Sequence, residues 1–134
     1  MPFLLRQASR HSRLSVLLSL GALLLALVLG CTSQPAPRPD APPQAVQAAQ
    51  GLVSHDVTAV RASVTDLLAT SLTPDDLAPA GTVLTVDKGT WKEDGNDASL
   101  QATVALPQQA PARVVVYLTR ENGQWRVLST DPIP

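Results

Sequence analysis

The sequence predicts an α+β domain in which N-terminal helices pack on one face of a four-stranded antiparallel β-meander. Three observations carry this. Between residues 43 and 71, apolar residues recur at intervals of three and four. After Gly81 the apolar period changes to two. Two turn signals, Asp94-Gly95 and Asn122-Gly123, divide the second half into hairpins.

The first helix is written in PPQAVQAAQGLVSHD, where Ala45, Val46, Ala49, Leu52 and Val53 form the stripe. Pro42-Pro43 suits its start, because the first helical position needs no N–H donor. A second helix is expected over SHDVTAVRASVTDLLATS, with Val57, Val60, Val64, Leu67 and Leu68 on one side and Ser54 or Asp56 as cap. LTPDDL reads as a short third turn, with Thr73 as cap and Pro74 at its first position.

The strands come next. TVLTVDKGTWKED is the first, with a bulge expected at Lys88-Gly89. ASLQATVAL is the second, and its alternation predicts Leu100 and Val104 inward and Gln101 and Thr103 on the other side. ARVVVYLTR is the third and QWRVLSTD the fourth, joined by Asn122-Gly123 in a type I′ turn. Val116 and Trp125 are expected in the core with Leu100 and Val104.

The N-terminus has another character. Arg6, Arg10, His11 and Arg13 form a basic stretch, Leu14 to Leu29 an apolar run, and Gly30 precedes Cys31, the single cysteine of the chain. Val28-Leu29-Gly30-Cys31 resembles the lipobox of bacterial lipoproteins. The usual pattern has leucine three residues before the cysteine and a small residue two before, where this chain has Val28 and Leu29. The resemblance implies cleavage between Gly30 and Cys31 and lipidation of the Cys31 thiol. It places the mature chain in the cell envelope, held to a bacterial membrane on its extracytoplasmic side. One acyl chain anchors marginally and two or more anchor stably. Two alternatives stand beside it: a retained membrane helix, for which the 17 residues Leu14 to Gly30 fall short of the usual ~20, and a structural cysteine ending a core helix. The organisation expected is therefore a signal peptide over 1–30, a lipidated cysteine and proline-rich tether over 31–42, and a small domain over 43–134. Prolines 35, 37 and 39 remove donors and fix φ, so residues 32–41 are expected to lack regular structure. Extended, residues 32–42 would reach roughly 34 Å at about 3.1 Å per residue.

LVSHDVTAVRASV, read as a helix end, a D-x-x-A-V-R step and a second helix, is similar to the opening of small cystatin-like domains of the nuclear transport factor 2-like superfamily. VYLTRENGQWRVLSTDP is similar to their closing hairpin. The resemblance implies the cystatin-like arrangement of helices on a meander. It also brings a helix–sheet cleft that several members use for ligands. The chain departs from the family's enzymes in offering no candidate catalytic histidine, tyrosine or aspartate on its strands.

Charge narrows the function classes. Without Arg6, Arg10 and Arg13 the chain keeps seven basic residues against eleven acidic ones, a net charge of −4. That mildly acidic balance gives no footprint for nucleic acid. One cysteine rules out an internal disulfide. His55 is the sole histidine after the signal, beside Asp56 in an expected interhelix turn, and it reads as a solvated helix-start residue rather than half of a catalytic pair. Asp75-Asp76 and Glu93-Asp94-Asp97 fall in turns, where carboxylates serve solubility and turn chemistry. Glu93 to Asp97 lacks the spacing and terminal glutamate of an EF-hand loop. No catalytic residue, metal site or cofactor is expected. The function expected is binding of an envelope protein or other envelope component. The alternative is a carrier of a small apolar ligand. An apolar cavity above about 300 Å³ between the second helix and the sheet would favour the carrier, and an exposed apolar patch the partner.

Overall fold

The computed structural model describes residues 35–134, so the basic stretch, the apolar run, Gly30 and Cys31 lie outside the described residues. A compact unit spans Arg38–Pro134. It is an α+β unit: helices α1 (Pro43–Gly51), α2 (Val57–Ser63) and α3 (Asp66–Ser71), a 3₁₀ turn at Pro74–Asp76, then strands β1 (Val83–Asp94), β2 (Asp97–Ala105), β3 (Ala112–Glu121) and β4 (Gln124–Pro132). The strands form one antiparallel sheet in the order β1-β2-β3-β4.

Residues 35–42 have no regular structure. Their end is nonetheless part of the packed unit. Ala41 is buried, and its N–H donates to the Lys88 carbonyl at 3.0 Å. Pro42 precedes α1 and Pro43 opens it. The buried face of α1 is Ala45, Val46, Ala48 and Ala49. Three alanines let the helix lie close to the sheet, where it contacts the outer strands β1 and β4. The sheet therefore cups the helix. Its inner face supplies Leu84, Trp91, Ala98, Leu100, Ala102, Val116, Leu118, Trp125 and Val127 to the core. Leu100 and Val116 are directly opposed, as are Ala98 and Leu118.

Three expectations need correction. The second helix is not continuous. It stops at Ser63, and Val64 and Thr65 are extended before a new helix starts at Asp66. Two β-branched residues are stiff in a helix and suit a strand. Here Val64 makes a parallel bridge to Val127, and the Thr65 N–H donates to the Val127 carbonyl at 2.9 Å. The break turns Leu67 and Leu68 outward, Leu67 to 80% exposure. Val104, expected inside, is only half-buried. It pairs with Leu84 on one side and Ala112 on the other, near the end of the sheet beyond the reach of the helices. The tight turn after β1 is centred on Gly95-Asn96, not Asp94-Gly95, since Asp94 pairs with Asp97. Its only positive φ is at Gly95, +62°.

The bulge in β1 is where expected and larger. Asp87 pairs with Gln101 and Lys92 with Ser99, so residues 88–91 stand opposite Leu100 alone. The Thr90 hydroxyl bridges the gap, accepting from the Gln101 N–H and donating to the Asp87 carbonyl, each at 2.7 Å. Three extra residues, an odd number, reverse the alternation of the strand. Trp91, which regular alternation from Leu84 would send outward, is therefore buried. A second bulge, at Leu128, separates the pairs Leu118–Val127 and Tyr117–Ser129.

Candidate functional site

The Trp91 and Trp125 side chains rise from the two outer strands and meet across the central ones, ring centroids 5.2 Å apart and nearly perpendicular. The Arg120 guanidinium lies 4.6 Å above the Trp125 ring. Glu93 holds both partners: one carboxylate oxygen accepts from Arg120 at 2.8 Å, the other from the Trp91 indole N–H at 3.3 Å. The β1 bulge makes this possible, because it brings Trp91 inward. Edge-to-face rings and a cation over an indole each contribute about 1 kcal/mol. Their structural consequence is a Trp125 ring fixed on two sides.

The Trp125 side chain borders the larger of two grooves flanking α2. That groove has a volume of about 590 Å³ and lies between α1, α2 and the start of β4. Its polar rim is Gln44, Gln47, Gln50, Ser54, Ser63 and Gln124, and its floor is Ala48, Gly51, Ala59 and Ala62. Gly51 sets the depth. A Cβ there would stand 2.7 Å from the Ser63 Cβ, so α1 and α2 approach closely only because Gly51 has no side chain. Among the described residues, no ionisable side chain lines this groove.

The second groove, about 330 Å³, lies between α2, α3 and β4. Leu52, Val60, Val64, Leu68, Leu72 and Val127 make it mostly apolar, with Ser71, Asp76, Ser129 and Thr130 at its margins. It exists because the chain breaks at Val64-Thr65. A continuous helix would have carried Leu67 and Leu68 along the α2 stripe. Glu121, from the β3–β4 hairpin, accepts from the Asp66 N–H at 3.0 Å and so caps α3 from a distance.

The residues weighed for catalysis have other tasks. His55 is exposed, and the Asp56 carboxylate caps α2 by accepting from the Thr58 N–H at 2.8 Å. Asp76 accepts from the backbone N–H and the hydroxyl of Thr73, both at 2.8 Å. The backbone bond, then the hydroxyl, holds the Asp76 carboxyl below its ordinary pKa. Glu93 is engaged with Arg120 and Trp91. Among the described residues, no three histidine, cysteine or acidic side chains come together as metal ligands would. Gly30 and Cys31 lie outside the described residues.

The glutamine rim was not anticipated. Its signal was present as Gln44, Gln47 and Gln50, spaced by three along one helix. Comparison with models of known protein families, with curated proteins and with solved structures finds no match.

Proposed function

We propose that this chain is an exported bacterial lipoprotein whose domain binds a protein partner of the cell envelope without catalysis. In this reading residues 1–30 are the signal peptide, Cys31 carries the lipid and the domain is cystatin-like. The order of helices before a meander, and the Asn122-Gly123 turn closing it, support the cystatin-like assignment.

The observation that carries the partner reading is the apolar groove left uncovered among the described residues, edged by Leu68 and Leu72, with Leu67 beside Leu68 in the chain and 80% exposed. Contiguous exposed apolar surface marks interaction sites. The volume of about 330 Å³ also meets the size expected of a carrier. A carrier, however, encloses most of its ligand, and this space is open along one side. The helix–sheet interior is occupied by Ala45, Ala49, Trp91, Leu100, Val116 and Trp125. An open groove suits one or two apolar side chains presented by another protein.

The test is photo-crosslinking in intact cells from a reactive side chain placed at Leu72. A single discrete adduct is expected, lost in Leu68→Glu and reduced in Cys31→Ser. Cys31→Ser is also expected to leave the membrane fraction. If it stays there as the processed form, the anchor is wrong. If adducts form equally well in Leu68→Glu, the groove is wrong.

A further inference from the structure

The groove on the opposite side of α2 has no part in the partner reading, and its chemistry differs. Its rim carries four primary amides and, among the described residues, no charge; the Ser63 hydroxyl already donates to the Ala59 carbonyl at 2.9 Å and the Ser54 hydroxyl oxygen accepts from the Asp56 N–H at 3.2 Å. Each amide presents two N–H donors and an accepting carbonyl in one plane, and a hydroxyl both donates and accepts. Gln124 shares its carbonyl with Arg126 at 3.0 Å, which fixes its orientation with the N–H groups free. The side-chain amides of Gln44, Gln47 and Gln50 make no hydrogen bond among the described residues.

We propose that this groove binds an uncharged, hydroxyl-rich ligand, a short stretch of neutral glycan. Three observations select that class. An ionic ligand would lose hydration without meeting an opposite charge, which is costly; phosphate or carboxylate recognition calls for a lining arginine or lysine, and Arg126, the cation beside the rim, does not line the groove and is engaged with the Gln124 carbonyl. An apolar ligand, or the apolar face of another helix, would cover the Gln44, Gln47 and Gln50 amides without giving them partners. A volume of about 590 Å³ lies within the range of small-ligand sites, ~300–1,000 Å³, and admits more than one sugar ring.

The floor and the wall fit the same ligand. Ala48, Gly51, Ala59 and Ala62 leave a shallow apolar bed on which the C–H face of a sugar can rest. The wall is Trp125, 6% exposed, with one face under Arg120 and its ring against Trp91. Held by both contacts, it serves as a wall rather than as a stacking platform. Binding therefore orders little beyond the glutamine side chains, each of which costs about 1 kcal/mol when fixed. Weak binding, with Kd near the millimolar range, is the expected regime for a single site.

The test uses the full chain, purified in detergent and labelled with ¹⁵N. It is titrated separately with triacetylchitotriose, maltotriose and cellotriose to about 10 mM, enough to approach saturation at a Kd of about 1 mM. At least one triose is expected to shift the Trp125 indole and the Gln47 and Gln50 side-chain amide signals. Gln47→Glu with Gln50→Glu, two exposed positions whose exchange does not disturb the core, is expected to weaken that binding at least tenfold. Ala62→Trp, which fills the floor from an exposed helical position, should abolish it. Leu68→Glu should leave it unchanged, so this site and the partner groove fail separately. Silence with all three trioses overturns the inference. So does binding that survives Ala62→Trp, or equal binding of trigalacturonate, which carries three carboxylates.

Discussion

The sheet and the helical layer of this domain are built to different standards. Leu100, Val116, Leu118 and Val127 on the inner face of the sheet are less than 2% exposed. In the helical layer Leu67 is 80% and Leu68 36% exposed. The sheet buries large side chains and links each strand to the next by short connections. The helices bury mainly alanine and valine, and α2 and α3 are seven and six residues long. Helices this short have little stability of their own. They are held by particular contacts: Ala41 on Lys88, Val64 and Thr65 on Val127, and Glu121 on Asp66. The first two also occupy the outer edges of β1 and β4, which shields parts of both from strand addition. The sheet carries the stability, and the helical layer, loosely filled, carries both grooves.

The sharpest test of this contrast sets Leu100→Ala against Leu67→Ala. The first should cost about 2–5 kcal/mol in urea unfolding, as truncation of a fully buried leucine does, and the second less than about 0.5 kcal/mol, as surface exchanges do. Comparable losses would mean that the two layers are one core. Next comes Gly51→Ala. It drives a methyl group into Ser63 and should cost about 1–3 kcal/mol. Adding Ser63→Gly should restore much of that loss, and additive effects of the two would show that the close helix approach is absent. Thr65→Val should be smaller and of opposite sign. The Thr65 hydroxyl is buried without a partner among the described residues, while its N–H and carbonyl are bonded to Val127 and Ala69. Valine keeps the shape, so stability should be unchanged or rise by up to about 1 kcal/mol. The smallest effect concerns Asp76. Its folded pKa is depressed, so its stabilising contribution is present above the unfolded value and lost as pH falls through the lower folded value. Urea midpoints followed from about pH 6 to about pH 2 should fall less steeply in Asp76→Asn than in the wild type.

The strands were legible because hairpins are local. Short connections, and alternation outside the bulges of β1 and β4, confine each pairing to nearby residues, and Asn122 and Gly123 adopt φ of +52° and +78°, the left-handed pair that a type I′ turn needs. The α1 face was legible for the same reason, since its alanines repeat within one short helix. The bulge at Lys88-Gly89 could be placed but not sized. Its length depends on Thr90 reaching Gln101 on the neighbouring strand, a contact absent from local sequence.

From local pattern alone come the placing of helices before four strands, the Asn122-Gly123 hairpin and the burial of Leu100, Val116 and Trp125, each set by periodicity or turn chemistry over a few residues. Tertiary structure alone decided the break at Val64-Thr65. A stripe of Val57, Val60, Val64, Leu67 and Leu68 satisfies helical spacing, and only the bonds to Val127, some sixty residues away, favour the extended alternative. It also decided that Trp91 turns inward to meet Trp125 and that Gln47 and Gln124 share a groove. Those outcomes depend on distant backbone groups and side chains meeting, and a local pattern holds no record of which distant partner completes it.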